Sequence, residues 1–430
     1  MSRTGFWAQT RKKPTINRFF ILLLMVTTAV TNTASAQQDE PTLIRVTESE
    51  AIELALDHEP RTRRWEQEIQ ERRADATVAG AFPNPSVGYH REQQFAGPTR
   101  WEETVALEQR LPISGRRRLQ TRAAREMTRA QQAQIADEQS RLRRQIRELF
   151  YRLVYRQRVV EIHRQSVGRL DDTIDGMEQR VDAGESSPYE LERLRREKAE
   201  LEATVEIEIG RIQDERAEMA NWLGIPLDTA SSLRPRGQLL PDEVPAQQEL
   251  AESVAAHPRL MAVGHRIDAY ELEADAAARW WIPDLIIHGG FKRERLGPTQ
   301  ELGFEVGLSV AIPLFYRGGG HRDRARARSM QARANRQWNR ESMIARTRGL
   351  IGLTNQLIDA AADYEQQSVD RARHILRLAE QSYDAGEAGL LELLDAHQGL
   401  LDARLRKLEL SAEARNHLIE LLNFIESEEK

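Results

Sequence analysis

Apolar residues recur along this chain with two different periods. In four places they alternate every second residue. Phe304, Val306, Leu308, Val310 and Ile312 are interleaved with Glu305, Gly307, Ser309 and Ala311. Val105, Leu107 and Leu111 are interleaved with Thr104, Ala106, Glu108 and Arg110. Leu285, Ile287 and Phe291 carry another such stretch, and Val87 and Tyr89 a fourth. Period two with one apolar face predicts a strand. At about ten residues per strand, this is the pattern of an outer-membrane barrel and equally of a half-buried soluble hairpin.

The longer segments decide between these readings. No proline occurs from Ile113 to Ser187, from Tyr189 to Ile225, or from Leu314 to Lys430. These stretches are rich in Ala, Glu, Arg, Leu and Gln, the strong helix formers. A proline inside a helix costs about 3 kcal/mol, so such gaps are what long helices require. Helices are predicted over Arg116–Ala183 and Gly318–Ala385, each roughly 100 Å long at 1.5 Å per residue. An opening helix over Thr47–Ala81 and a returning helix over Tyr189–Leu223 are each about half that length. In the last helix Leu391, Leu394, Leu401, Leu405 and Leu408 keep a three-four spacing, with Gln398 interrupting. That spacing predicts coiled-coil packing between neighbours.

The chain repeats itself. Phe82-Pro83-Asn84 matches Ile282-Pro283-Asp284, and Leu111-Pro112-Ile113 matches Ile312-Pro313-Leu314. Asp182-Ala183-Gly184-Glu185 returns as Asp384-Ala385-Gly386-Glu387, and His58-Glu59-Pro60-Arg61 resembles Ala256-His257-Pro258-Arg259. Four matches in order, all about two hundred residues apart, indicate a tandem duplication. The first repeat is placed at residues 37–228 and the second at 249–430. Between them lies a connector, 229–248, holding Pro235, Gly237, Pro241 and Pro245. Each repeat orders a helix, two strands, a very long helix, a turn and a returning helix.

Residues 1–36 read as a secretory signal peptide. Arg11, Lys12, Lys13 and Arg18 precede the apolar run Phe19–Val30, and Ala34-Ser35-Ala36 is a small-residue cleavage site. No other segment approaches the ~20 apolar residues of a membrane helix, so a membrane location requires a β-barrel.

Cysteine is absent, which excludes disulfides, thiolate metal sites and a catalytic thiol. The signal removes five of the 62 Lys and Arg residues and no acid, leaving 57 basic against 67 acidic residues and a formal charge of −10. That balance argues against a nucleic-acid partner. The ten histidines are dispersed, with no HExxH pattern, and no P-loop, nucleophile elbow or dinucleotide motif is present. The reading is a non-enzyme with no cofactor and no metal centre.

The ordered motifs resemble the TolC-like outer-membrane efflux channel family. They are Ala81-Phe82-Pro83-Asn84-Pro85-Ser86, Asn221-Trp222-Leu223-Gly224-Ile225-Pro226 and Leu308–Phe315 with Gly318-Gly319. Tyr383-Asp384-Ala385-Gly386-Glu387 followed by Leu390–Ala396 completes the set. Heavy-metal and multidrug branches are the most similar in length and signal. The resemblance implies a mainly α fold with a small β part. A long coiled-coil helical barrel would continue four strands per protomer into a twelve-stranded trimeric barrel. Physics also asks for a trimer, because four strands cannot close and open edges are not tolerated in lipid. The resemblance further implies a passive duct through the outer membrane and periplasm. Its partners would be a periplasmic membrane-fusion adaptor and an inner-membrane pump of the RND or ABC type.

The same resemblance assigns the tip. Asp182, Gly184, Glu185, Asp384, Gly386 and Glu387 would be adaptor-contacting turns. Glu392 and Asp395 fall on the family's acidic aperture positions, Glu190 occupies the matching place in the first repeat, and Tyr383 matches a tyrosine that ties neighbouring helices. A Tyr383–Glu190 hydrogen bond is expected. Ala388 stands where the best-known members have a basic residue, a departure that puts one of the family's gate salt bridges in question here. Trp280, Trp281, Phe315 and Tyr316 bracket the strands of the second repeat and suit an aromatic belt at the periplasmic face of the membrane.

Overall fold

A computed structural model describes residues 44–96, 100–246 and 253–425. The signal segment, with its cleavage site, lies outside these residues. The first described element is a short strand, β1 (Ile44–Val46). The predicted opening helix then forms as two, α1 (Glu48–Asp57) and α2 (Glu59–Gly80). The break falls at His58, whose ψ of 112° is not helical. Pro60 causes it, having no N–H to offer the carbonyl four residues back. Thr47 starts α1 with a capping box: its N–H donates to Glu50 Oε2 (2.8 Å) and its Oγ1 accepts from Glu50 N (3.4 Å).

Strands β2 (Ser86–Gln94) and β3 (Arg100–Leu111) lead to α3 (Arg116–Asp182), an unbroken helix of 67 residues. Helix α4 (Pro188–Leu223) returns beside it. A 3₁₀ turn, Leu227–Ser232, straddles the start of the predicted connector and precedes β4 (Leu233–Pro235). β4 pairs in parallel with β1, Ile44 opposite Leu233, and this small sheet was not anticipated. The second repeat begins with α5 (Pro258–Ala278), followed by β5 (Leu285–Leu296), β6 (Thr299–Val310), α6 (Gly319–Tyr364), α7 (Asp370–Asp384) and α8 (Leu390–Leu422).

The second long helix forms over residues 319–384 as expected, but with an irregularity inside it. A π-turn, Glu365–Val369, separates α6 from α7. The packing explains it. Thr347, Leu350, Thr354, Leu357 and Ala361 face the core at three-four spacing. Continued without interruption, that spacing turns Ser368, Arg371 and Ile375 inward. The extra residue of a π-turn shifts the phase by one, so Val369, Ala372 and Leu376 pack inside instead and Ile375 stays exposed.

The main core lies midway along the bundle. Ile146, Phe150, Leu153 and Val154 of α3 pack there with Trp65, Met219, Leu223 and Leu233. Polar anchors sit at its edge. Glu48 accepts from Arg147 Nε and from the Tyr151 hydroxyl, each at 2.6 Å, fixing α1 to α3. Arg156 spans Glu208 (2.9 Å) and Glu215 (2.6 Å), fixing α4 to α3. Of the expected leucine seam in α8, Leu401 and Leu408 are buried and Leu394 and Leu405 pack half-buried against the core, whereas Leu391 is exposed and Leu390, Leu393 and Leu400 are buried beside them.

Two glycines make the strand-to-helix joints. Gly115 and Gly318 precede the long helices with φ of 68° and 82°, a conformation unfavourable to other residues. A Cβ on Gly318 would also stand 2.4 Å from Trp280 Cβ, so the backbone approach there demands glycine twice over.

Candidate functional site

The four strands form one antiparallel sheet in the order β2-β3-β5-β6. Register sorts their residues into two faces, because directly opposed residues share a face. Leu111, Leu285 and Val310 form one cross-strand row; Gln109, Ile287 and Leu308 the next. Val87, Leu107, Gly289 and Val306 follow, then Tyr89, Val105, Phe291 and Phe304. These side chains are largely exposed in the protomer, Phe304 at 80% and Leu308 at 69%. The four rows extend about 20 Å along the strands. Exposed Phe82, Ile113, Ile312 and Leu314 widen the band at its helix-proximal edge. The result is comparable with the ~25 Å apolar band of outer-membrane barrels.

The opposite face is polar. Glu92, Glu102, Glu294 and Glu301 line up in a single row across all four strands. Like charges directly opposed destabilise a sheet. Lys292 and Arg100 offset this from adjacent rows, reaching Glu102 and Glu294 at 2.7 Å each.

The expected belt aromatics divide into two pairs. Trp281 and Phe315 point outward and are exposed. Trp280 and Tyr316 pack edge to face, with ring centroids 6.1 Å apart, and His321 stacks on Trp280 at 4.9 Å. The Arg116 guanidinium lies 4.4 Å from the Trp280 ring. Trp280 thus meets the first turns of both long helices, through Arg116 and His321.

At the far end of the bundle the two predicted turns have the same geometry. Gly184 and Gly386 have φ of 76° and 73°. Glu185 N donates to Arg180 O (2.7 Å) and Glu387 N to Ser382 O (2.8 Å), the long-range bond of a Schellman cap in each case. Asp182, Glu185, Asp384 and Glu387 are exposed around these turns. Ser187 caps α4, accepting from Tyr189 N at 3.2 Å.

The structure brings the two tips together through apolar side chains. Leu170, Ile174 and Met177 of α3 pack with Leu191 and Leu194 of α4 and Leu390 of α8, and Tyr383 lies against them. The expected Tyr383–Glu190 hydrogen bond is not formed. The Tyr383 hydroxyl instead points at Met177 Sδ, 3.7 Å away, and Arg180 lies 5.1 Å from the ring centroid. Burial raises the Tyr383 pKa; Arg180 opposes this, and the charges of Glu190 and Asp384 reinforce it. Tyr383 therefore feels Glu190 as a charge rather than a bonding partner.

Glu392 and Asp395 are both exposed on the first turns of α8. They differ in freedom. The Glu392 carboxylate folds back to accept from Gly389 N at 2.9 Å, capping its own helix. Asp395, one turn on, has no such bond among the described residues.

Sequence spacing also missed a grouping between the repeats. Glu126 of α3 and His265 and Asp268 of α5 place one donor atom each within 4.8 Å of one another. His265 Nδ1 is 3.0 Å from Glu126 Oε2, and Arg129 pairs with the same carboxylate at 2.7 Å. These contacts form a charged link between α3 and α5. Glu126 and His265 lie 139 positions apart, so no local motif announces them.

An antiparallel sheet with one lipid-compatible face, carried on helices of about 100 Å, is the build expected of an outer-membrane channel protomer. The family model described as outer membrane efflux protein matches this chain twice, over residues 51–206 and 250–425, and the chain belongs to that family. It is 24% identical over 304 residues to the cobalt-zinc-cadmium resistance protein CzcC of Cupriavidus metallidurans, covering 69% of this chain and 71% of CzcC. It is 26% identical over 200 residues to the alkaline protease secretion protein AprF of Pseudomonas aeruginosa, covering 43% of this chain and 40% of AprF. Its fold matches the crystal structure of the outer membrane protein VceC of Vibrio cholerae with a TM-score of 0.73 and 18% identity, covering 88% of this chain and 95% of VceC. The protein is thus an outer-membrane channel component of an efflux or secretion system, extending into the periplasm.

Proposed function

We propose that three copies of this chain close a twelve-stranded barrel and serve as the exit duct of a tripartite pump that exports divalent transition-metal ions. The observation that carries the trimer is the open sheet. β2 and β6 are unpaired edges of a sheet whose one face is apolar, and lipid does not tolerate free edges. Pairing β6 of one copy with β2 of the next removes all of them. The two repeats, 37–228 and 249–430, would then alternate around the tube, joined by 229–248.

The cargo assignment rests on the likeness to CzcC over most of both chains. The turns at Gly184 and Gly386 are the docking points for a periplasmic adaptor, which couples the duct to an inner-membrane pump. Trp281 and Phe315 seat in the periplasmic membrane interface. The chain needs no cofactor and performs no chemistry on the cargo.

Two measurements test this. Native mass spectrometry of the detergent-solubilised mature protein should give three times the protomer mass. Deleting the gene should sensitise cells to zinc, cobalt or cadmium. Normal metal tolerance with increased drug sensitivity would refute the metal cargo, and a monomer mass would refute the barrel.

A further inference from the structure

Beyond the apolar band, on the same face of the sheet, the chemistry changes abruptly. The next row is Arg91, Glu103, Arg293 and Leu302; the row after it is Gln93, Trp101, Arg295 and Gln300. These rows lie at the strand ends farthest from the helices, beside the β5–β6 turn. The helices extend into the periplasm, so this rim meets the outer leaflet. Three arginines and one tryptophan thus stand where the band ends.

Trp101 lies between two of the arginines, with Arg91 5.5 Å and Arg293 5.2 Å from its ring centroid. Glu103 accepts from Arg91 (3.0 Å) and from the Tyr89 hydroxyl (3.1 Å), so one positive charge is answered within the rim. Among the described residues, neither Arg293 nor Arg295 is paired with a carboxylate. Both are exposed. The rim therefore carries two unanswered guanidiniums at the head-group level of a bilayer.

A guanidinium there costs less than in the hydrocarbon, but charge alone has no reason to collect on the lipid side. Arg binds phosphate through paired N–H groups, with a geometry suited to bidentate contact. A tryptophan fits the same depth, apolar below and polar above. The opposite face at this height is the glutamate row, so the two sides of the sheet carry opposite signs.

We infer that Arg293 and Arg295, steadied by Trp101 and Arg91, form a binding site for the phosphate head group of an anionic lipid in the outer leaflet. A closed trimer carries three such sites. The inference rests on the barrel reading above.

The test is native mass spectrometry of the detergent-solubilised trimer, titrated with lipid A, with the same lipid dephosphorylated, and with dioleoylphosphatidylcholine. The wild type should retain lipid A in preference to both others. Arg293→Gln with Arg295→Gln should weaken lipid A retention by about five-fold for each arginine removed, at ~1 kcal/mol per basic group near an anionic surface. Binding of the two controls, one lacking phosphate and the other zwitterionic with no net charge, should not change. Lys292→Gln, on the opposite face, should keep the wild-type preference and shows that any loss is local. Equal retention of lipid A and its dephosphorylated form overturns the site while leaving the barrel intact. A chain that retains no lipid of any kind overturns both.

Discussion

The hydroxyl of Tyr383 meets the sulfur of Met177, 206 positions earlier in the chain, at 3.7 Å. Met177 is 1% exposed and belongs to the cluster that joins the two tips. This contact is mostly shape, since an O–H to thioether bond is weak. Tyr383→Phe should therefore leave the closed-state conductance in planar bilayers near wild type. Met177→Ala deletes packing worth about 2–5 kcal/mol and should raise conductance by loosening the tip. A fully open Tyr383→Phe channel would show that the hydroxyl has a decisive partner elsewhere, in a neighbouring copy.

Of the two acids assigned to the aperture, Asp395 gives the cleaner test. Glu392 caps its own helix, so Glu392→Ala mixes lost charge with a capping loss of about 1 kcal/mol. Asp395→Asn changes charge alone. Three copies around one axis would focus a negative potential at the constriction. Asp395→Asn should lower cation selectivity and weaken block by trivalent cations. Unchanged selectivity and block would place the aperture elsewhere on the tip.

Much of this architecture was legible in the sequence because it is periodic or repeated. Val306, Leu308 and Val310 reveal their strand and face through alternation alone. Gly184 and Gly386 reveal the turns because a left-handed cap needs glycine at that position. What remained hidden depends on three-dimensional phase. The π-turn at Glu365–Val369 shows only when the inward row from Thr347 to Ala361 is seen to resume at Val369. The Glu92–Glu102–Glu294–Glu301 row requires the exact pairing register, since a slip of one residue would disperse it. The Glu126–His265 and Tyr383–Met177 contacts join residues far apart in the chain, and no spacing rule reaches that distance.

The glutamate row suggests a second electrostatic prediction. It faces away from the apolar band, so in a closed barrel it lines the lumen near the outer mouth. Glu102→Gln with Glu294→Gln should reduce the preference for cations over anions in reversal-potential measurements. Lys292→Gln instead removes the partner of Glu102, and should cost no more than about 0.2–1 kcal/mol in an exposed sheet. Identical reversal potentials for the double variant and the wild type would place the row outside the conduction path.

The lipid face is tested by charge. Leu308 is opposite Ile287 within the apolar band. Leu308→Arg puts a guanidinium near the bilayer midplane at a cost of roughly 2–4 kcal/mol per protomer. Trimer yield from the outer-membrane fraction should fall sharply. Ser309→Arg, one residue on and on the other face, should be tolerated. Normal yield for Leu308→Arg would mean that the faces are reversed.

The last prediction concerns pH. His397 of α8 is buried at 8% exposure, and its Nε2 has no hydrogen-bond partner among the described residues. Burial, with a smaller contribution from the nearby Arg169 charge, lowers its pKa from 6.5 to about 4. The imidazole is therefore neutral in the folded chain at a pH where the unfolded chain already protonates it. The unfolded state then binds more protons, so stability falls as pH drops. The contribution is fully present above about pH 6.5 and is lost progressively down to about pH 4. Below that, both states are protonated and the dependence levels off. The loss would be on the order of 3 kcal/mol, at 1.36 kcal/mol per unit. His397 lies between Ala396 and Leu400, which pack against α7, and is near Arg169 of α3, so the helices of the tube should separate before the sheet. Helical melting of the detergent-solubilised protein, followed by circular dichroism between pH 7 and pH 4, should show a falling midpoint. His397→Gln keeps a polar group of similar reach without the titration, and should flatten that slope while lowering stability at pH 7 only modestly. A His397→Gln protein with the wild-type slope would assign the acid sensitivity to other groups, with His257, whose pKa burial also lowers, the next to replace.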